Sequence, residues 1–288
     1  MTPQDFDYLR KLLRERSGLV LAAEKQYLAE SRLVPVARRH GMTTLGELID
    51  RLRSKSPAAL IAEVVEAMTT NETFFFRDKL PFDNFRDVML PALLAARARD
   101  KRIRIWCTAA STGQEPYSLA MVLKAMGSAL AGYRIDIVAT DLSSEVLEKA
   151  KAGLYSQFEV QRGLPVQLLV KFFEQHGETW QLAPELRGMV QFRTINLLND
   201  FSALGSFDIV FCRNVLIYFD QDSKIAVLNR IARQMPEDGY LVLGAAETVI
   251  GLTEAFKPLA DKRGVYVPKS AVRQASSDNV IRLASVKG

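Results

Sequence analysis

Through the first 67 residues the apolar positions recur at helical spacing; beyond residue 100 they gather into short unbroken runs. In "FDYLRKLLRER", Phe6, Leu9, Leu12 and Leu13 share one helix face, and Gly18 ends the turn. "EKQYLAESRLVPVARRHG" continues the pattern, with Pro35 as a kink or break and Gly41 as a C-cap. "TTLGELIDRLRS" and "PAALIAEVVEAM" complete four amphipathic segments without strand-like alternation, which predicts an all-α N-terminal domain over residues 1–68. Further on, "RIRIWC", "YRIDIVAT", "FDIVFCRN" and "GYLVLGA" read as strands. Between them "EPYSLAMVLKAM", "SSEVLEKAKAG" and "QDSKIAVLNRIARQM" read as helices. This alternation predicts an α/β domain over residues 101–268, with a mainly parallel sheet covered on both faces. Residues 153–194 interrupt it with one helical stretch and the strand-like pieces "TWQLA" and "MVQFRTI", read as an inserted β-rich subdomain. Residues 69–100 read as a linker and ligand-contacting segment, and residues 269–288, poor in large apolar groups, read as a mobile tail.

With 288 residues and 48% hydrophobic content, the chain can bury a core without staples. Its longest apolar runs, "VMLPALLAA" and "FDIVFC", fall far short of the ~20 residues that span a bilayer. The N-terminus has no apolar signal core, so the expectation is a cytoplasmic protein without membrane insertion. Cys107 and Cys212 each close an apolar run and read as small buried hydrophobes rather than a disulfide. His40 and His176 have no clustered partners at ligand spacing, so no metal site is expected. The net charge of +5 is uneven: residues 1–56 hold 11 Lys/Arg against 7 Asp/Glu. Arg32, Arg38, Arg39, Arg51 and Arg53 lie in or beside predicted helices, where they suit a solvated face or an acidic partner. Nucleic acid is disfavoured, because no aromatics interleave with the basic residues.

In an open parallel sheet, ligands sit beyond the carboxyl ends of the strands. The stretches there are "TAASTGQEP", Asp141 and "RNVLIY". The first is a small-residue turn with one glycine, Gly113, followed by Glu115–Pro116 opening a helix. An acid at a helix start repels a pyrophosphate and welcomes a cationic group. Asp141, ending the second strand, is placed to accept from ribose hydroxyls or to cap the next helix. Together these features favour a ribose-bearing, positively charged cofactor, and S-adenosylmethionine fits. Upstream, "TTNETFFFRD" sets three phenylalanines among Asn71, Thr73 and Arg77, a run that no amphipathic period requires.

"NETFFFRD", "RIWCTAASTGQEPYSLAM", "ATDLSSEVLEKA", "INLL" and "FDIVFCRNVLIYFD" occur in the order found in the chemoreceptor glutamate methyltransferases, the CheR family, which the chain resembles over roughly residues 5–268. The resemblance implies a Rossmann-like S-adenosylmethionine-dependent methyltransferase domain carrying a small inserted antiparallel β subdomain, preceded by the all-α domain. It carries cofactor contacts onto Asn71, Thr73, Arg77, Glu115, Asp141, Asn196, Leu197, Arg213 and Asn214. In it Asp141 holds the ribose, Asn196–Leu197 lie near the adenine, and Arg77 lies near the reacting centre. Phe74–Phe76 are then expected to wall the cofactor. The implied reaction esterifies glutamate carboxylates in the cytoplasmic helical region of chemoreceptors, leaving S-adenosylhomocysteine. Arg77 would orient the acceptor carboxylate, and Tyr218 would donate a hydrogen bond to it.

Two rivals stay open. Amino-group methyltransferases often show Asn/Asp-Pro-Pro-Tyr after the fourth strand, and "RNVLIY" lacks both prolines. A non-catalytic cofactor-sensing module would tolerate decay of the set from Asn71 to Tyr218, which is intact. Some members of the family grip a receptor's C-terminal peptide with a longer, glycine-containing loop of the β subdomain. Here "FFEQHGETWQLAPEL" offers only Gly177, so no C-terminal tether peptide is expected.

Overall fold

A computed structural model describes residues 1–54 and 58–269, so the tail read over residues 269–288 lies, beyond Lys269, outside the described residues. The N-terminal domain is four helices: α1 (Pro3–Ser17), α2 (Gln26–Arg39), α3 (Leu45–Arg53) and α4 (Ala58–Met68). A capping box between Thr2 and Asp5 starts α1, and Gly18, left-handed at φ 76°, stops it by donating to the Arg14 carbonyl. α2 runs through Pro35 without ending there. Leu9, Leu13, Leu33, Leu48, Ile49 and Val64 are fully buried in a core of this domain's own. The basic face is smaller than its arginine count. Arg32 donates to the carbonyls of Met68 and Thr69 and to Thr70 Oγ1, strapping the linker instead of facing a partner. Arg39 pairs with Glu63, and Arg53 pairs with Asp5 and Asp50, while Arg38 stays exposed.

The described residues of the second domain hold ten strands. They are β1 (Arg102–Cys107), β2 (Arg134–Asp141), β3 (Leu154–Ser156), β4 (Phe173–His176), β5 (Thr179–Leu182), β6 (Val190–Thr194), β7 (Ile209–Cys212), β8 (Tyr240–Leu243), β9 (Phe256–Pro258) and β10 (Val265–Pro268). Seven form one sheet in the order β6-β2-β1-β7-β8-β10-β9. The first five of these run parallel, β10 runs antiparallel to β8, and β9 runs antiparallel to β10. Side chains alternate across it: Ile105, Cys107, Ile137, Ala139 and Phe211 enter one core, while Trp106, Val138, Val210 and Cys212 enter the other. Both cysteines are buried and free, and they point to opposite faces of adjacent strands, which forbids a disulfide.

The inserted antiparallel sheet is β3-β5-β4, spanning Leu154–Leu182. Val190–Thr194, assigned to the insertion from sequence, instead pairs in parallel with β2 at the edge of the main sheet. Alternation reveals a strand but not its partner. Gly163, at φ 83°, carries the insertion past the linker: a Cβ there would lie 2.1 Å from the Phe75 carbonyl oxygen. Gly177 (φ 61°) turns the β4–β5 hairpin in open space. Replacing Gly177 by Ala should therefore cost about 1 kcal/mol of backbone strain. Gly163→Ala should cost about 3 kcal/mol or more, because backbone must move as well. Urea midpoints at unchanged slope would read the difference, and equal losses would mean the linker yields freely.

Candidate active site

One cleft opens at the carboxyl ends of the parallel strands, where β1 and β7 part at the topological switch point, with about 940 Å³ of atom-free space including its mouth. Asn71, Thr73, Arg77, Glu115, Asp141, Asn196, Leu197, Arg213, Asn214 and Tyr218 all line it, brought together from five separate chain segments. Leu19, Leu142, Ile195, Val215 and Phe219 supply apolar wall between them.

Most of the polar side chains are fixed by nameable bonds. Asp141, 8% exposed, accepts from the backbone amides of Ser111 (2.8 Å) and Ser143 (3.0 Å) on separate oxygens. Burial nevertheless outweighs these donors and raises its pKa above the ordinary carboxylate value. Glu115, in the first turn of the helix Gln114–Met126, accepts from Arg213 Nη1 at 2.7 Å. Arg213, 5% exposed, also donates through Nη2 to Asp78 Oδ2 (2.8 Å) and the Arg77 carbonyl (2.9 Å). A cationic ligand group would thus meet a neutralised pair at Glu115 rather than a lone carboxylate. Burial raises the Glu115 pKa, opposed by Arg213. That helix starts at Gln114 with Gly113 as N-cap, so Pro116 sits third in it rather than first.

The segment from Asn71 to Lys79 is a strained bend, with Phe76, Asp78 and Lys79 at φ 51°, 67° and 43°. Ser111 Oγ holds the Asn71 carbonyl (2.7 Å), and Ser118 Oγ accepts from the Phe76 amide (3.0 Å). The three phenylalanines do not wall the cleft, as the sequence had led us to expect. Phe75, fully buried, meets Tyr155 and Phe173 edge-on at 5.0 and 5.6 Å. Phe76 packs on Phe82, and Phe74 lies under the guanidinium groups of Arg162 and Arg77. They bolt the bend to the insertion and the sheet, leaving Asn71, Thr73 and Arg77 toward the cleft.

The sequence matches two family models, "CheR methyltransferase, all-alpha domain" over residues 4–69 and "CheR methyltransferase, SAM binding domain" over residues 71–265. Chemotaxis protein methyltransferase 1 of Pseudomonas aeruginosa is 42% identical over 267 residues, covering 91% of this chain and 96% of its own. Cher2 of Pseudomonas putida is 39% identical over 265 residues, covering 91% and 96%, and the Escherichia coli chemotaxis protein methyltransferase is 35% identical over 256, covering 87% and 86%. The chain belongs to the CheR methyltransferase family. Its cofactor is S-adenosylmethionine, and the residues present fit that group. Thr108 Oγ1 and Arg213 Nε, both on lining residues, are buried without a hydrogen-bond partner, as groups are that a polar ligand completes. Mixed apolar walls with a few converging polar groups are what a nucleoside requires. Among the described residues no cluster of His, Cys, Asp and Glu is placed to hold a metal, and no helix is long and apolar enough to cross a membrane.

Sequence reasoning missed how far the helical domain enters this site. Ser17 and Leu19 line the cleft, and the Val20 amide donates to the Tyr218 carbonyl (2.9 Å). Asn196 donates Nδ2 to the Arg16 carbonyl (2.6 Å) and accepts the Leu198 amide on Oδ1, so its amide group serves domain docking. Glu66 of α4 accepts from Ser143 Oγ and the Glu145 amide, beside Asp141. The Ser143–Val146 cap was visible in "SSEVLEKA"; the second carboxylate on it, contributed from another domain, was not.

Removing Arg213 strands a buried carboxylate. Arg213→Met should destabilise the protein by about 3–5 kcal/mol at neutral pH. A raised folded-state pKa gives stability that is complete below the unfolded value and lost as pH rises through the folded one. The deficit against wild type should therefore shrink as pH falls toward the ordinary glutamate value of 4.5. Denaturant unfolding across pH would check this; a pH-independent deficit would mean Glu115 finds another partner.

Proposed function

We propose that the protein methylates glutamate side-chain carboxylates in the cytoplasmic helices of chemoreceptors, making it a protein-glutamate O-methyltransferase of chemotaxis-type signalling that works in the cytoplasm. The observation that carries this reading is the set of ionisable groups around the cleft: Glu72, Arg77, Glu115, Asp141, Arg213 and Tyr218 line it, with no histidine, lysine or cysteine among the described residues. A glutamate acceptor, with a pKa near ~4.3, is already ionised at neutral pH and asks for no base. The relatives' printed name, chemotaxis protein methyltransferase, supports the same reading.

When bound, S-adenosylmethionine supplies a methyl group activated on a sulfonium. The chain's part is to bind, align and keep water out. Asp141 is the ribose acceptor, its charge already oriented by Ser111 and Ser143. Asn71, Thr73, Glu115, Asn196, Leu197, Arg213 and Asn214 complete the cofactor contacts. Arg77 reaches the mouth with one guanidinium nitrogen on the Glu72 carbonyl (3.0 Å), leaving its other donors for the acceptor carboxylate. The Tyr218 hydroxyl, without a partner among the described residues, is a second donor to that acceptor. Holding the two reactants in one geometry is the main catalytic device open to such a site, worth up to ~7–11 kcal/mol in well-oriented systems.

Incubation with labelled cofactor and receptor cytoplasmic fragments tests the class. Base-labile label on glutamate supports it, and label on lysine or nucleic acid would overturn it. Receptor lacking its C-terminal tail should be labelled as fast as full-length receptor, since the β4–β5 turn is too short to grip a tether. Asp141→Ala should weaken both S-adenosylmethionine and S-adenosylhomocysteine by about tenfold or more, from a lost charged hydrogen bond of ~1.5–3 kcal/mol. Calorimetric titration that finds both affinities unchanged would reduce Asp141 to a loop brace.

A further inference from the structure

We propose that Glu247, which no family motif singled out, is the positioning residue for the loop that carries Asn214 and Tyr218 into the cleft. Its carboxylate gathers five backbone amides. Oε2 accepts from Asn214 (2.8 Å) and Gly244 (2.7 Å), and Oε1 accepts from Val215 (2.9 Å), Leu216 (2.7 Å) and Ile217 (3.3 Å). Four of these amides begin two residues beyond the end of β7 and the fifth directly follows β8, where the ladder has stopped supplying acceptors. Charged acceptors make the stronger hydrogen bonds, and an anion is the single group able to satisfy so many donors at once. No ion pair reaches Glu247 among the described residues, so the amides themselves are its counter-charge.

The arrangement sets geometry as well as satisfying donors. Asn214 sits at φ 57°, a left-handed conformation that costs a side-chain-bearing residue energy, and its amide is one of those bound. The carboxylate is itself aimed by a turn at the carboxyl end of β8, where the Glu247 amide donates to the Gly244 carbonyl at 3.0 Å. Gly244 leaves it no slack: a Cβ there would stand 2.7 Å from Glu247 Oε2 and 2.9 Å from Asn214 Nδ2. Glu247 does not line the cleft, so it acts through Asn214 and Tyr218 and touches neither cofactor nor acceptor.

The importance given to the loop rests on the function proposed above; that Glu247 holds it does not. The test joins hydrogen exchange of the full chain with kinetics. Glu247→Gln preserves size but offers one acceptor oxygen and sets an amide against N–H groups. Exchange across residues 213–218 should quicken by about tenfold while β1 is unchanged. Turnover of a glutamate-bearing receptor fragment should fall about tenfold or more, and S-adenosylhomocysteine affinity should fall by clearly less, because Asn214 is one of several cofactor contacts. Glu247→Asp, which keeps both oxygens, should recover part of each loss. Gly244→Ala, which keeps Glu247 but crowds it, should reproduce Glu247→Gln. Unchanged exchange, full turnover from a released loop, an affinity loss as large as the turnover loss, or unfolding of both Glu247 variants would each overturn the proposal. Wild-type protein that modifies no glutamate would sink the proposed function, while the exchange data still decide the role of Glu247.

Discussion

The guanidinium of Arg213 is the point on which the site's construction turns. It stands one residue past the end of β7 and joins the helix Gln114–Met126 through Glu115, and the linker bend through Asp78 and the Arg77 carbonyl. Three segments far apart in sequence thus share one buried charge. Glu115 or Arg213 alone at that depth would cost several kcal/mol, so neither holds its place without the other. The bend and the β7 loop both contain left-handed residues, Asp78 and Asn214, directly beside this pair. The ion pair and the Glu247 amide cluster offset that strain, which is how a site can keep loops in shapes they would not adopt alone.

The helical domain completes the cleft rather than decorating it. Gly18 ends α1 with no Cβ because Phe219 crowds the place, where a Cβ would stand 2.9 Å from its ring. Arg14 pairs with Asp220, Asn196 holds the Arg16 carbonyl, and Val20 holds the Tyr218 carbonyl. On the other flank Glu66 binds the helix start beside Asp141, and Arg32 straps residues 68–70 just before Asn71. Anything that shifts the helical domain therefore moves the Asp141 turn, the linker and the Tyr218 loop together.

Patterns in the sequence report period and burial, and they served where those decide the outcome. The four N-terminal helices follow from apolar spacing, and the parallel strands follow from short apolar runs with buried ends. The ten residues expected at the cofactor and acceptor share one cleft, because strand ends converge in this topology. Partners are another matter. The strand Val190–Thr194 looked like part of the insertion because its alternation does not name its neighbour. Phe74–Phe76 looked like a cofactor wall because sequence shows aromatic density, not direction. Arg32 counted toward a basic face while serving three acceptors at the end of α4 and the start of the linker. Glu247 carried no signal, for its work is done on backbone amides, which every residue but proline presents alike.

The charge arrangement also bears on which acceptor the cleft suits. A lysine-like amine, with a pKa near ~10.4, must lose a proton before it can attack. Glu115 is already held by Arg213, and both oxygens of Asp141 are held by backbone amides. Those donors engage the two carboxylates before any amine arrives, although burial raises the pKa of both. Tyr218 can give a hydrogen bond. On the reading proposed above, a carboxylate arrives ready to react, and what it would need is the donor that Arg77 offers at the mouth and a loop that keeps Tyr218 still. The strained residues Phe76 and Asp78 flank the first of these groups, and Asn214 stands at the head of the loop that carries the second.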